Sequence, residues 1–225
     1  SFGDQHETYM KEFGYTREDF IQIIHPMADT ANEPVGSMGN DTPVAALSDK
    51  PQRLFSYFRQ LFAQVTNPPI DSIREGLVMA LTNYIGSVSK NLLDEAPSQC
   101  RSIKFESPII SNTDLGKIVK FRTEEFAHTI IPMLFEVKQG GAGLKQAVDN
   151  MCILAEKAVD EGKNYIILSD RAISADMAAV PSLLAVSAVH HHLIRAKKRM
   201  QIGLVVETGE AREVMHFALL LGYGA

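Results

Sequence analysis

Several features are absent from this sequence of 225 residues, and each absence narrows the class of protein it can belong to. No window approaches 18 uninterrupted apolar residues, so the sequence predicts no membrane-spanning helix. Basic residues are in the minority, with 22 Lys and Arg against 27 Asp and Glu and a formal net charge of −5. That balance argues against a nucleic-acid surface or a polybasic membrane patch. The opening residues lack the basic and apolar segments of a secretory signal, so we expect none.

Cysteine is also scarce, since only Cys100 and Cys152 are present. Two cysteines are too few for a disulfide framework and cannot hold an iron–sulfur cluster on their own. Cys152 falls inside an apolar helical pattern, which predicts a small, buried hydrophobic side chain. We therefore expect a reducing, cytoplasmic compartment.

The composition that remains is typical of a globular protein. Hydrophobic residues make up 45% and charged residues 22% of the chain, which excludes disordered and fibrous classes. The length suits one large domain, or one domain with an appendage. Residues 16–19, TRED, form a capping-box pattern before an apolar run that begins at Phe20, which predicts a helix start.

A long polar connection separates this helix from the next ones. Apolar periodicity is lost over residues 28–51, where glycine and proline crowd together, and loops of that length are usually functional or disordered. Helical spacing of apolar residues resumes over 54–65 and predicts a helix facing a core. The sequence Asn67-Pro68-Pro69 ends that helix, and a second helix is predicted from Asp71 to about Leu81.

From residue 103 the pattern changes to strands alternating with helices. The candidate strands are residues 103–109, 129–135, 164–169 and 201–206. The helical patterns between and after them lie near residues 113–121, 141–161, 181–199 and 209–221. Such alternation predicts a parallel sheet covered by helices, either an open doubly wound sheet or a piece of a (β/α) barrel.

The predicted fold class is therefore α/β. Residues 1–100 are expected to be mainly helical and loop, and residues 101–225 to form repeated β-α units that resemble a partial (β/α) barrel. A complete barrel has eight such units, and only about four are visible here. Because open sheet edges are normally covered, we expect the natural polypeptide to continue.

Three groups of residues could carry chemistry, and each also has a structural explanation. His190, His191 and His192 spread around a helix and cannot converge on one metal, so we predict no metal site there. The GGAG sequence at 140–143 could cradle a phosphate at a helix start, but the dinucleotide and P-loop patterns are absent, which favours a simple connection. The LSDR and VET sequences at 168–171 and 206–208 follow predicted strands, where α/β sheets bind ligands; capping and a local ion pair explain them equally well.

The nucleophile classes are not represented by any recognisable motif. There is no G-x-S-x-G elbow, no recognisable cysteine–histidine context, and no kinase or zincin signature. The residues alone therefore nominate no catalytic, cofactor-binding or metal-ligating set.

Six segments, taken together, resemble the central domain of the glutamate synthase large chain family (glutamine:2-oxoglutarate amidotransferases). They are YMKEFGYTRE at 9–18, VGSMGNDTP at 35–43, YFRQLFAQVTNPPID at 57–71, FESPI at 105–109, LSDR at 168–171 and HFALLLGYGA at 216–225. The resemblance covers nearly the whole chain, so the expected domain is residues 1–225. Its neighbours, an N-terminal amidotransferase domain and a later FMN-binding domain, are absent from this sequence.

The resemblance implies that the chain connects these two domains of one polypeptide and helps to form an ammonia tunnel between them. FMN and a 3Fe-4S cluster are implied for the parent enzyme and no cofactor for this fragment. The implied electron donor is ferredoxin or a small NADPH-dependent subunit; no nucleic acid or membrane partner is implied. The parent is an oxidoreductase that acts on CH-NH2 donors, and the isolated fragment is expected to be inactive.

Two segments are expected to line the tunnel or an interdomain contact. The residues are Gly36, Ser37, Met38, Gly39, Asn40, Asp41, Thr66, Asn67, Pro68 and Pro69. Small residues leave room for a passage, and the Asn-Pro-Pro segment is stiff enough to hold a wall in place. The alternative function is a free-standing α/β enzyme that binds a phosphorylated ligand at 140–143 and at the strand ends. A third possibility is an assembly domain that contributes no tunnel wall.

Overall fold

A computed structural model of the chain describes residues 6–34, 47–50, 52–58, 69–86, 93, 95–100, 102–121, 123 and 126–225. The α-helices in these ranges are α1 (His6–Glu12), α2 (Arg17–Asp19), α3 (His25–Thr30), α4 (Ser72–Val78), α5 (Asn112–Lys120), α6 (Gly140–Asp160), α7 (Ser182–Arg195) and α8 (Val214–Gly222). The strands are β1 (Asn83–Ile85), β2 (Ile103–Phe105), β3 (His128–Pro132), β4 (Leu134–Glu136), β5 (Tyr165–Ser169), β6 (Met177–Ala179) and β7 (Gly203–Glu207). No helix in these ranges combines the length and the apolar character that crossing a bilayer requires.

The N-terminal helices begin where the sequence predicts. The side chain of Thr16 accepts a hydrogen bond from the backbone N–H of Asp19 (3.1 Å), and the Asp19 carboxylate accepts one from the backbone N–H of Thr16 (2.8 Å). This reciprocal pair confirms the predicted capping box. After α2 the chain continues through a π-helical segment, Phe20–Ile24, into α3.

The helix predicted over 54–65 does not begin at Leu54. Leu54–Tyr57 is a single 3₁₀ turn, and Phe58 is extended, with φ −98° and ψ 143°. Phe55 is completely buried, and its ring stacks on that of His216 with 4.3 Å between the ring centroids. Burial of this ring, and not the helical spacing of the apolar residues, therefore decides the local conformation. The rest of the predicted helix, residues 59–65, lies outside the described residues.

The helix predicted after Asp71 is present as α4. The Asp71 carboxylate accepts hydrogen bonds from the backbone N–H groups of Ile73 (3.0 Å) and Arg74 (2.9 Å), which caps the helix. The helix ends at Val78, before the predicted end at Leu81.

The three strands β3, β5 and β7 form a parallel sheet in that order, which confirms the predicted α/β class with a parallel sheet. His128 pairs with Tyr165, and Tyr165 pairs with Gly203, so successive strands are separated by nearly equal lengths of chain. The predicted strand at 103–109 is not a fourth member, because β2 pairs antiparallel with β1. The predicted strand at 129–135 is interrupted at Met133 and becomes β3 and β4, of which β4 pairs antiparallel with β6.

The helices lie on the sheet in the manner of consecutive barrel units. Buried side chains of α6 and α7 share one core with Ile166 and Leu168 on one face of β5. On the other face, Tyr165 and Ile167 pack against α5. Strand order follows chain order and α6 and α7 contact each other on the same face, an arrangement that a partial barrel shares with one half of a doubly wound sheet. No closed barrel is found in the part of the chain that the structure describes.

Gly203 allows the β1–β2 hairpin to approach the sheet, which leads to a prediction about stability. A Cβ atom at this position would lie 2.8 Å from Cγ2 of Ile85 and 3.2 Å from Cβ of Tyr165. The substitution Gly203→Ala should therefore lower the free energy of unfolding by about 1–3 kcal/mol through overpacking.

Urea denaturation measures this effect, and Gly116→Ala within α5 is the matched control. A Cβ at Gly116 meets nothing within 4 Å, so the control should raise stability by about 0.5–1 kcal/mol through helix propensity. Equal midpoints for the two variants would show that the hairpin does not pack closely on β7.

Candidate functional site at the carboxyl ends of the parallel strands

Nine of the ten residues predicted to line a tunnel or an interdomain contact lie outside the described residues. They are Gly36, Ser37, Met38, Gly39, Asn40, Asp41, Thr66, Asn67 and Pro68. The tenth, Pro69, is exposed and lies two residues before the cap of α4. The prediction for these segments therefore stays a prediction.

The two strand-end motifs at 168–171 and 206–208 are brought together by the pairing of β5 with β7. Ser169 lies opposite Glu207 in the ladder, and its hydroxyl donates a hydrogen bond of 2.5 Å to the Glu207 carboxylate. The Arg171 guanidinium donates to the same carboxylate at 2.7 Å. Burial alone would raise the pKa of Glu207, but the hydrogen bonds from Arg171 and Ser169 outweigh it and lower that pKa. Glu207 is therefore an ionised anchor for both partners.

Asp170 is the most strongly perturbed acid at this end of the sheet. Its carboxylate is almost completely buried and accepts hydrogen bonds from the Thr208 hydroxyl (2.6 Å) and the backbone N–H of Gly209 (3.1 Å). Burial raises its pKa to about 6, and the negative charges of Glu207 and Glu210 act in the same direction. The two hydrogen bonds oppose that shift without cancelling it. Asp170 therefore holds the loop after β7 in place, and its carboxyl group gains or loses its proton at about pH 6.

Arg212 joins the N-terminal helices to the loop that follows β7. Its guanidinium lies 3.6 Å from the centre of the Tyr15 ring and donates to the carboxylate of Asp19 at 3.0 Å and to the backbone oxygens of Phe13 and Gly14. The side chain is 1% exposed, so this is a buried charge with several partners. Removing one partner of such a pair typically costs about 3–5 kcal/mol. Sequence reasoning missed Arg212, because no local pattern signals a partner almost 200 residues away.

His216, the first residue of the resembling segment at 216–225, is buried beside Arg212. Its Nδ1 accepts a hydrogen bond from the backbone N–H of Arg212 (3.2 Å), and its ring stacks on Phe55. Burial, with the positive charges of Arg53 and Arg212, lowers the pKa of His216 to about 4. The imidazole is therefore neutral at physiological pH and acts as a packing and hydrogen-bonding group.

A cavity of about 840 Å³ lies along β7 and reaches the strand ends. Arg171, Glu207 and Thr208 line it at the carboxyl end of the sheet. Gly140, Gly141 and Gly143 are not among its lining residues, so the glycine-rich segment and the strand ends do not share one pocket.

The glycines at 140–143 have steric explanations at the start of α6. Gly140 has φ +53°, a conformation that favours glycine. A Cβ at Gly143 would lie 2.5 Å from the Cβ of Gln139. These two constraints account for Gly140 and Gly143 without a phosphate, whereas nothing in the structure requires glycine at 141.

The three histidines at 190–192 lie on α7, and at least two of them have protein partners. His190 accepts a hydrogen bond from Arg199 (2.9 Å), and His192 contacts the carboxylate of Glu156 (2.8 Å). Lys198 also binds Glu156 (2.9 Å), which makes this a surface ion network. Within the described ranges, no group of three or more His, Cys, Asp or Glu side chains is arranged to hold a metal ion.

The pKa of Asp170 is raised and that of His216 is lowered, so we expect the free energy of unfolding to depend on pH. Since the pKa of Asp170 is raised in the folded state, folding binds extra protons and stability falls as the pH rises from about 4 to about 6. Since the pKa of His216 is lowered, stability falls as the pH decreases from 6.5 to about 4. The two effects oppose each other, so replacing Asp170 by Asn exposes the histidine contribution. Between pH 7 and pH 4, Asp170→Asn should lose about 2 kcal/mol more stability than the parent.

Urea titrations at a series of pH values measure this difference. Asp29→Asn, at an exposed position of α3, is the control and should follow the parent. If the curve of Asp170→Asn ran parallel to that of the parent between pH 7 and pH 4, Asp170 would not titrate in a buried setting.

Comparisons with known proteins match nearly all of this chain to a short part of much longer proteins. The profile of the family described as "Glutamate synthase central domain" matches residues 8–225. The NADH glutamate synthase of Saccharomyces cerevisiae is 45% identical over 213 residues, which are 94% of this chain and 10% of that protein. The large chain of the NADPH glutamate synthase of Bacillus subtilis is 44% identical over 218 residues, 97% of this chain and 14% of that protein. The ferredoxin-dependent glutamate synthase of Pyropia yezoensis is 43% identical over 215 residues, 95% of this chain and 14% of that protein. The chain therefore belongs to the glutamate synthase central domain family.

Proposed function

We propose that this chain connects the catalytic domains of a glutamate synthase and forms part of the path that ammonia follows between them. The whole enzyme makes L-glutamate from L-glutamine and 2-oxoglutarate, with ammonia released in an amidotransferase domain and consumed in an FMN-binding domain. Family membership supports this proposal, as does the small share, 10–14%, that the chain occupies in its relatives.

The observation that carries the proposal is an exposed apolar surface on α4 and the residues after it. We call Ile73, Leu77, Met79 and Leu81 the α4 apolar surface. The side chains of Ile73 and Leu77 are 89% and 78% exposed, and those of Met79 and Leu81 are 68% and 66% exposed. Soluble domains seldom expose several large apolar side chains close together, and such patches usually mark contacts with other proteins or domains. A neighbouring domain of the same polypeptide is the occupant that the family suggests.

The α4 apolar surface directly follows one of the two predicted tunnel segments. Pro69 is exposed, and the capping carboxylate of Asp71 fixes the start of α4 just beyond it. Pro69 is therefore the described residue that joins this predicted segment to α4. A domain that covers α4 would therefore also lie close to Pro69.

The chemistry that we assign to the chain is sequestration. Ammonia must pass between two sites without gaining a proton or escaping, so its path has to be shielded from bulk water. Glycine and serine at 36, 37 and 39 provide space, and the Asn-Pro-Pro segment provides a wall that loses little conformational entropy on ordering.

The redox chemistry of the enzyme belongs, in this proposal, to other domains. Cys100 is exposed and Cys152 is buried in α6 as predicted, and two thiols are fewer than an iron–sulfur cluster requires. FMN and the cluster are therefore assigned to the FMN-binding domain. Electrons would come from ferredoxin or from a small NADPH-dependent subunit, since relatives named for NADH, NADPH and ferredoxin all match the chain.

Bulky substitutions in the two segments should uncouple the half-reactions of the full-length enzyme. With Gly39→Leu or Thr66→Phe, glutamine hydrolysis should persist while glutamate formation from glutamine falls and ammonia appears in solution. The physical reason is volume, because a large side chain obstructs a narrow passage without touching either reaction centre. Coupled assays of glutamine loss, glutamate formation and free ammonia measure the effect.

Gly39→Ala and Thr66→Ser are the matched controls and should remain coupled. A thermal melt separates obstruction from general damage, since overpacking would lower the melting temperature and both activities together. If the bulky variants melt normally and convert glutamine to glutamate one to one, these segments do not line the path.

The α4 apolar surface gives an independent test of the interdomain role. Leu77→Glu should leave the stability of the 225-residue chain within about 0.5 kcal/mol of the parent, because the side chain is exposed there. In the full-length enzyme the same change should reduce coupling and lower the melting temperature, because it buries a charge in an apolar contact.

Ile153→Glu is the control for this change, since Ile153 is an apolar residue of α6 with 62% exposure. Ile153→Glu should change neither the stability of the 225-residue chain nor the coupling and melting temperature of the full-length enzyme. If the full-length Leu77→Glu enzyme kept the parent's coupling and melting temperature, the α4 apolar surface would not be an interdomain contact. The connector role would then lose its main support.

A further inference from the structure

The residues that lead from β7 into α8 contact two separate parts of the N-terminal region. The Arg212 guanidinium donates a hydrogen bond to the carboxylate of Asp19 at 3.0 Å. The ring of His216 stacks on that of Phe55, with 4.3 Å between the ring centroids. Asp19 comes before the long polar connection in the sequence, and Phe55 comes after it. We call residues 212–216 the anchoring turn, because contacts from both flanks of the connection meet there.

The two contacts are linked to each other within the anchoring turn. The backbone N–H of Arg212 donates to Nδ1 of His216 at 3.2 Å. The side chains of Arg212 and His216 are only 1% and 3% exposed, so water offers neither of them an alternative partner. Buried polar groups of this kind keep their hydrogen bonds, because losing them costs free energy. The anchoring turn therefore holds both flanks as one unit.

Arg53 brings the second flank into the same group of charges. Burial would raise the pKa of Asp19, yet hydrogen bonds from Thr16 lower it. The positive charges of Arg212 and Arg53 act in the same direction as those hydrogen bonds. Burial raises the pKa of Glu213 in the anchoring turn, and the charge of Arg53 opposes that change. Arg53 therefore lies close to acids of the first flank and of the anchoring turn.

The flanks of the connection also end in buried side chains. Pro34 is the last described residue before the predicted tunnel residues, and it is buried. Phe55, on the other flank, is completely buried. Because the conformations open to a loop depend on where its two ends are held, displacement of either flank would alter the chain between them.

We propose that Arg212 and His216 are positioning residues for ammonia transfer in the full-length glutamate synthase. They hold the two flanks of the connection, and so fix where the chain that carries residues 36–41 leaves the domain and where it rejoins it. Neither side chain contacts ammonia. This inference rests on the proposed function, in which residues 36–41 line the ammonia path. It goes further, because it names residues distant in the sequence on which the shielding of ammonia depends.

Two mild substitutions in the full-length enzyme test the inference, one for each contact. Arg212→Lys keeps the charge but loses the planar group that reaches Asp19 and the backbone oxygens together. Phe55→Leu keeps an apolar side chain but removes the ring that stacks on His216. Each variant should release severalfold more ammonia to solution per glutamine hydrolysed than the parent does. General destabilisation would instead lower glutamine hydrolysis and glutamate formation together and leave their ratio unchanged.

Arg199→Lys and Phe126→Leu are the matched controls. Arg199 also donates to two backbone oxygens, those of Ile202 and Gly224, at 2.7 Å each. Phe126 packs against the core on the other face of the sheet. At temperatures well below their melting temperatures, both controls should convert glutamine to glutamate with the same ratio as the parent.

Hydrogen exchange provides a readout that does not depend on activity. In the full-length enzyme, Arg212→Lys and Phe55→Leu should make backbone amides in residues 35–50 exchange about tenfold faster than in the parent. The amides of β5 should keep their protection, and the two controls should leave both sets of amides unchanged. An equal loss of protection in β5 would show that the anchoring turn supports the whole fold and not the connection, and would overturn the proposal.

The outcomes separate this inference from the proposed function. If Gly39→Leu uncouples the enzyme while Arg212→Lys and Phe55→Leu remain coupled, the ammonia path stands and the positioning role is wrong. If Gly39→Leu and Thr66→Phe both remain coupled, the proposed path is wrong, and the positioning role is wrong with it whatever the exchange rates are.

Discussion

The structure depends on the complete burial of the central strand β5. All five of its residues are buried, so both faces of the sheet must be covered. The helices α6 and α7 cover one face, while α5 and the β1–β2 hairpin cover the other. Each fully buried isoleucine or leucine contributes about 1.5–3 kcal/mol, so these contacts fix the layers around the strand. The loops at the carboxyl end of the sheet take their positions from the same packing.

The polar residues at that end mainly bind one another. Ser169 and Arg171 bind Glu207, and Thr208 binds Asp170, so the acids are held by neighbours within the chain. Buried charges require such partners, and a network of this kind stabilises the ends of β5 and β7. This explains how strand ends that often carry catalysis in α/β proteins can serve here as a framework. The proposed interdomain role then rests on other surfaces, of which the α4 apolar surface is the clearest.

The regular part of the fold could be predicted from the sequence because local patterns determine it. Apolar periodicity located α5 to α8, the capping box located α2, and the strand patterns located both motifs, at 168–171 and 206–208, at the carboxyl ends of strands. The pairing of β2 with β1 could not be predicted, since one short strand carries no signal of its partner. The 3₁₀ turn at Phe55 also escaped prediction, because burial against His216 overrode the helical spacing. The buried site of Arg212 is set entirely by tertiary contacts.

The contact between Asp19 and Arg212 joins residues 193 positions apart in the chain. Within this region, α1 and α2 emerge from the ribosome before the rest, yet the residue that holds them is made near its end. The turn that carries Arg212 follows β7 directly, and β7 takes its place beside β5. Contacts between such distant residues require closure of a long loop. Arg212 can therefore hold α1 and α2 only after the turn beyond β7 has been made.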